Sequence, residues 1–369
     1  MGGDLSLTRN LPTVSRPVLG TVVWSQKLGG VPTHSAPTAS RETLYSGGDF
    51  KVAALQAATG DQIWKRETTG PLHFSMPVAG DLVYAGLLDH RLLALNRETG
   101  DIQWEFLATN PIITSPLVAN GMVYFGTFDG LLHALDAATG NLIWQQDNLG
   151  SIHASVALEG RSLLVAGQQG NLYILNSRTG REKLKFRTPG AANGPPVVAN
   201  GLAYYPSGGK LYAVDASSRK IPGEYNFRLV WAQFWVWGVP GVPKPPVQKG
   251  GIWRFSPKGT DPGSFASSPA VTNDMLYLGD TKGDFYGIDA LTGRELWWVH
   301  SGAAILASPL VLGQRVHFGN GDGVLHALDR FTGESEWKLD LGAPINIPPI
   351  YAHGRIYVHT SDGKLHAIE

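Results

Sequence analysis

Several imidazole and amide side chains fall at one level of a repeat that runs the length of the chain. Aligning the recurring segments on Pro37, Pro77, Pro116, Val156, Pro196, Pro269, Pro309 and Pro349 brings His34, Phe74, Ile113, His153, Asn193, Ala266, Leu306 and Asn346 to one position, with His73 one residue away. If these segments converge, His34, His73, His153, Asn193 and Asn346 line a single funnel and could hold a polar or aromatic ligand. Plain funnel lining is the competing reading. Three imidazoles would also suit a transition metal, but only within about 2.0–2.2 Å of the ion. His34 and His153 come from copies three apart, and no HxH or HExxH spacing accompanies them, so no metal is expected. His133, His326 and His366 recur in a slot that Tyr173, Tyr212 and Tyr286 also fill, which reads as packing. Asp136, Asp215, Asp289 and Asp329 precede turns that their side chains can hold. No residue stands out as a nucleophile or general base.

The elements that would position these residues are strands. "VYFGTFDGLLHALDAATGNLIW" at 123–144 restates "VYAGLLDHRLLALNRETGDIQW" at 83–104, and a period near 40 residues marks a propeller or solenoid. Within a unit, "SPLVA", "MVYFGT", "LLHALDA" and "LIWQQ" are short β-rich runs separated by Asn-Gly, Asp-Gly and Thr-Gly turns. No segment shows a sustained helical apolar stripe. Tyr45, Tyr84, Tyr124, Leu164, Tyr204, Tyr277, His317 and Tyr357 mark eight copies. The predicted fold is all-β: a single eight-bladed β-propeller of four-stranded antiparallel blades. The last copy ends at "GKLHAIE" without a tryptophan strand, and "TVVWSQKLGG" carries Trp24 in that context. The Trp24 strand is therefore expected to complete the last blade and close the ring, with residues 1–20 as an N-terminal extension and 21–369 as the propeller.

Composition narrows the function. Thirty basic and thirty acidic residues leave no bulk field for nucleic acid. The absence of cysteine excludes disulfides, thiolate chemistry and a lipid-anchor cysteine within this chain, and "MGGDLSLTRNLPTVSRP" has no apolar core of a signal peptide. No transmembrane segment is expected.

With its tryptophan at a fixed place, "ALDAATGNLIW" resembles the repeat of the pyrroloquinoline-quinone-like (PQQ-like) propellers, over about residues 20–369. Trp24, Trp64, Trp104, Trp144, Trp231, Trp297 and Trp337 are read into that slot, with Leu184 as the departure. The resemblance implies that each tryptophan docks on the neighbouring blade. It also implies two functional branches. Quinoprotein dehydrogenases hold the quinone at the channel mouth with Ca²⁺, an aspartate base and a vicinal cysteine pair. A second, BamB-like branch scaffolds outer-membrane protein assembly without a cofactor. A cysteine-free chain one ring long is closer to the second. The expectation is thus a non-catalytic scaffold with a protein partner, no cofactor and a periplasmic or cell-envelope location. The alternative is a PQQ-dependent oxidoreductase or carbohydrate-acting enzyme with a small-molecule site in the funnel.

The repeat breaks once on a large scale. A Trp- and Pro-rich stretch, 232–265, reads as an insertion between blades five and six, and "SSRKIPGEYNFR" replaces a Thr-Gly turn just before it. Trp235, Trp237, Trp253 and Phe255 are its candidate partner contacts, on a loop expected to overhang the funnel as a lid or a contact surface.

Overall fold

Runs of four to six β-formers, each stopped by a turn that needs positive φ, can pair only with their immediate neighbours. Asn120 and Gly121, at φ 53° and 77°, make one such turn. The computed structural model describes residues 9–11, 18–28, 36–48, 50–147, 149–192, 194–245, 248–257 and 263–369. Their strands form eight sheets, each an antiparallel meander from an inner first strand to an outer fourth. Blades one to seven span residues 38–67, 78–107, 117–146, 157–187, 197–255, 270–300 and 310–340. Blade eight joins 350–368 to Val22–Lys27, which pairs antiparallel with Lys364–Ile368. Asn10–Leu11 runs parallel to the innermost strand of blade seven, Leu310–Leu312, so the expected extension 1–20 contributes a strand to the ring.

The outer strand pair of every blade carries a register shift one residue before Trp24, Trp64, Trp104, Trp144, Leu184, Trp253, Trp297 or Trp337. Such a bulge sharpens the local twist and re-aims the next side chain. Here it aims the ring at the following blade. Indole N–H groups of Trp64, Trp104 and Trp144 donate to backbone oxygens of Arg97, Ala137 and Ser177, at 2.9–3.1 Å. The same three oxygens accept the hydroxyls of Tyr45, Tyr84 and Tyr124. A glycine must face each indole, because a Cβ at Gly100 would come within 2.7 Å of Trp64.

Two expectations need correction at blade five. Its fourth strand is Gly251–Phe255, and Trp253, rather than Trp231, donates to the next blade, to the oxygen of Ala290 at 3.1 Å. The long insertion therefore lies between the third and fourth strands of blade five, within 216–250, instead of between blades five and six. Trp144 lies eight positions after Asp136, whereas Trp253 lies thirty-eight positions after Asp215. The insertion also contains the one helix among the described residues, Glu224–Val236. No helical stripe announced it because its polar residues fall on two opposite sides, Glu224 and Arg228 on one and Asn226 and Gln233 on the other.

Candidate functional site

In a meander blade the second-to-third turns and the fourth-to-first connections open on one face, here the upper face. The remaining turns open on the lower one. The insertion is a third-to-fourth connection, so it stands on the lower face near the rim and does not overhang the funnel.

On the upper face, serines tie neighbouring blades around the channel. Ser75 N–H donates to Ser115 Oγ, Ser115 N–H to Ser155 Oγ, and Ser268 N–H to Ser308 Oγ, at 3.0–3.2 Å. These bonds fix the level of the residues just before the first strands of blades two, three, four, six and seven. His73 is half-buried beside the Phe74 ring, 6.3 Å between centroids. His153 is exposed and meets Phe128 edge-on at 5.8 Å. Asn346 is half-buried, and its Oδ1 is enclosed with no hydrogen-bond partner among the described residues. His34 and Asn193 lie outside the described residues. His73, His153 and Asn346 belong to blades two, four and eight, and no three His, Cys, Asp or Glu side chains converge among the described residues.

Apolar groups missing from the sequence-based set share this face. Phe50 and Phe128, 55% and 53% exposed, occupy the second-to-third turns of blades one and three, with Leu88 on the same turn of blade two. Ser151 Oγ donates to the Phe128 carbonyl and steadies that turn. Half-buried Phe74 and Ile113 complete the sector toward the channel. Comparing "GLLDHR" with "GTFDGL" position by position would have revealed Leu88 and Phe128, whereas Phe50 follows the aspartate of "GGDFK", where His90 and Gly130 stand in the other two turns.

The other candidates are placed elsewhere. Trp253 is half-buried in blade five, and Phe255, 6% exposed, packs against Phe265 and Tyr286. Neither is part of an exposed loop. Trp235 and Trp237 are 45% and 67% exposed on the lower rim. His133 and His326 stack on Phe125 and Phe318 at 4.9 and 4.8 Å, and burial lowers both imidazoles, His326 to about 4. Asp136 accepts the Thr139 hydroxyl and the N–H groups of Ala138 and Thr139, which hold its carboxyl below the usual range.

The model of the family described as outer membrane protein assembly factor BamB matches residues 14–145, 128–234 and 248–368. The chain belongs to this family. Among solved structures, BamB from Moraxella catarrhalis superposes with a TM-score of 0.75 at 19% identity, covering 95% of this chain and 97% of that one. The quinohemoprotein alcohol dehydrogenase from Comamonas testosteroni gives 0.76 at 16% identity, covering 99% and 79%. At these identities the likeness is one of fold. A curated relative, the serine/threonine-protein kinase AfsK of Streptomyces griseus, is 27% identical over 136 residues, 35% of this chain and only 13% of the kinase. The quinone of the dehydrogenase fold would need anchoring donors and a set of metal ligands at the channel mouth. His73 and His153, two blades apart, do not supply that set among the described residues.

Proposed function

We propose that this BamB-family chain is a non-catalytic binding scaffold whose upper face seats a protein partner in a cell-envelope assembly. The observation that carries this reading is the pair of exposed rings Phe50 and Phe128 on alternate blades, with Leu88 on the corresponding turn of the blade between them and Phe74 and Ile113 toward the channel. Aromatics clustered on a surface are typical anchors of protein interfaces. The closed ring holds their turns in place before binding, which lowers the entropy cost of association. Trp235 and Trp237 stand on the other side of the disc and lie outside this seat.

The test is capture of partners from envelope extracts of the native source. The double variant Phe50→Glu, Phe128→Glu should lose the bound polypeptide by about tenfold or more, as burying two aromatic anchors contributes at least 2 kcal/mol. Leu291→Glu with Phe331→Glu, exposed on lower-face turns, should retain it. Equal retention by both double variants would sink the reading.

One observation favours a second reading, a small-molecule ligand or quinone-dependent oxidation in the funnel. The enclosed Oδ1 of Asn346 lacks a donor among the described residues, and an unmet buried acceptor costs about 1–3 kcal/mol. A stoichiometric chromophore on protein isolated from its own source, lost in Asn346→Ala and His153→Ala, would move the site into the funnel.

A further inference from the structure

The insertion helix Glu224–Val236 is built inside out. Its half-buried stripe is Glu224, Arg228, Trp231 and Ala232, at helical spacing, and holds both of its charges. Its solvent side carries Tyr225, Phe227, Leu229, Val230, Phe234 and Trp235, each 43–60% exposed, with the uncharged amides Asn226 and Gln233 among them, and no residue of the helix is buried. A helix facing water normally turns its charges outward and its apolar stripe inward. In this one the charges face inward, and exposed Val236, its last residue, and Trp237 just beyond continue the apolar surface.

The helix is tied within the insertion and to the propeller. Within the insertion, Lys249 N–H donates to Glu224 at 2.8 Å and Trp231 donates to the Pro243 oxygen; from blade four, the Arg187 guanidinium lies over the Tyr225 ring at 3.9 Å. Lys220 N–H bonds the Lys183 oxygen, and the Gln248 side chain bridges the Lys185 oxygen and the Arg187 N–H. The insertion thus straps the outer strand of blade four, Glu182–Arg187, and the helix is held at the rim.

The surrounding charge is one-sided. Residues 178–255 carry 12 of the 30 basic side chains and 3 of the 30 acidic ones, in a chain of zero net charge. Arg187 and Lys249 contact the helix, and Arg219, Lys220, Lys244 and Arg254 are exposed in the same stretch of chain, Lys220 beside Glu182. A largely apolar, tryptophan-bearing helix within a basic stretch of chain complements a surface that is apolar inside and anionic at its edge. Tryptophan favours that boundary, and each lysine or arginine near an anionic bilayer contributes about 1 kcal/mol.

We propose that the helix Glu224–Val236 embeds its outward face in an anionic lipid surface, seating the propeller on a membrane by its rim. The binding is interfacial, since no helix among the described residues is long and apolar enough to cross a bilayer. The inference does not depend on the upper-face partner.

Flotation of the full chain with vesicles is the test. Vesicles of phosphatidylglycerol in phosphatidylethanolamine should carry the protein, phosphatidylcholine vesicles should not, and added salt should release it. Phe227→Glu with Trp235→Glu should lower partitioning by at least about tenfold. Both side chains are exposed, so its melting temperature and near-ultraviolet circular dichroism should match wild type. Lys220→Glu with Lys244→Glu should weaken binding at low salt and flatten the salt dependence. The Phe50→Glu, Phe128→Glu variant should float like wild type, which separates failure of this inference from failure of the protein-partner reading. Wild-type protein that never floats, or a helix variant that floats equally well, overturns the proposal. So does a wild-type dimer that forms without lipid and that the helix variant dissociates, since the occupant would then be a second copy.

Discussion

At the scale of single residues, the repeat tells most about positions that every blade shares. Blade seven puts His317 where Tyr45, Tyr84, Tyr124, Tyr204, Tyr277 and Tyr357 stand in others. His317 is buried beside Trp337, and desolvation, with Arg315 adding to it, pushes its imidazole down to about 3. In the unfolded chain it would titrate near about 6.5. A native value below the unfolded one means that the unfolded state binds more protons as pH falls beneath about 6.5. Stability is therefore lost on acidification, continuing toward pH about 3, and the loss from this residue reaches about 2 kcal/mol at about pH 5. His317→Tyr removes that term. Its melting temperature relative to wild type should rise between about pH 7 and about pH 5 in scanning fluorimetry; a gap independent of pH would contradict the assignment. The slot was legible from spacing, but the energetic consequence needed the burial. Likewise the funnel alignment placed His73 and His153 on one face, yet exposure alone distinguished Phe128 from the buried phenylalanines.

At the scale of elements, the blades were readable because the Gly turn and the tryptophan recur together. Where two tryptophans competed, sequence misassigned the strand. Trp231 comes first after the third strand of blade five, but Trp253 follows a glycine turn in "GGIW", as Trp144 does in "GNLIW". Spacing could not weigh one against the other because the connection had absorbed a helix. The two positions should now separate by stability. Trp253→Leu removes an interblade indole and its bond to Ala290, and should cost about 2–3 kcal/mol in denaturant unfolding. Trp231→Leu should stay within about 0.5 kcal/mol, since that ring bonds only within the insertion. Equal costs would mean that Trp253 does not carry the seam. Blade four shows how a seam does without tryptophan: Leu184 fills the slot, and the insertion's bonds to Lys183, Lys185 and Arg187 brace its strand from outside.

At the scale of the molecule, the ring separates two surfaces. The upper face gathers Phe50, Leu88 and Phe128 around the channel, and the lower rim projects the inverted helix. Reading the insertion as a fourth-to-first connection had merged the two into one lidded funnel. Placing it between third and fourth strands parts them, because those turns emerge on opposite faces. A scaffold so built can be held at a lipid surface by its edge while its upper face stays open to a protein. The most direct measurement is photo-cross-linking in the native source, with a benzophenone amino acid at position 128. The account predicts that this probe joins the protein to a distinct envelope polypeptide, and that Phe50→Glu abolishes the adduct. A probe that labels no polypeptide, on protein carrying a stoichiometric small molecule in its funnel, would contradict it.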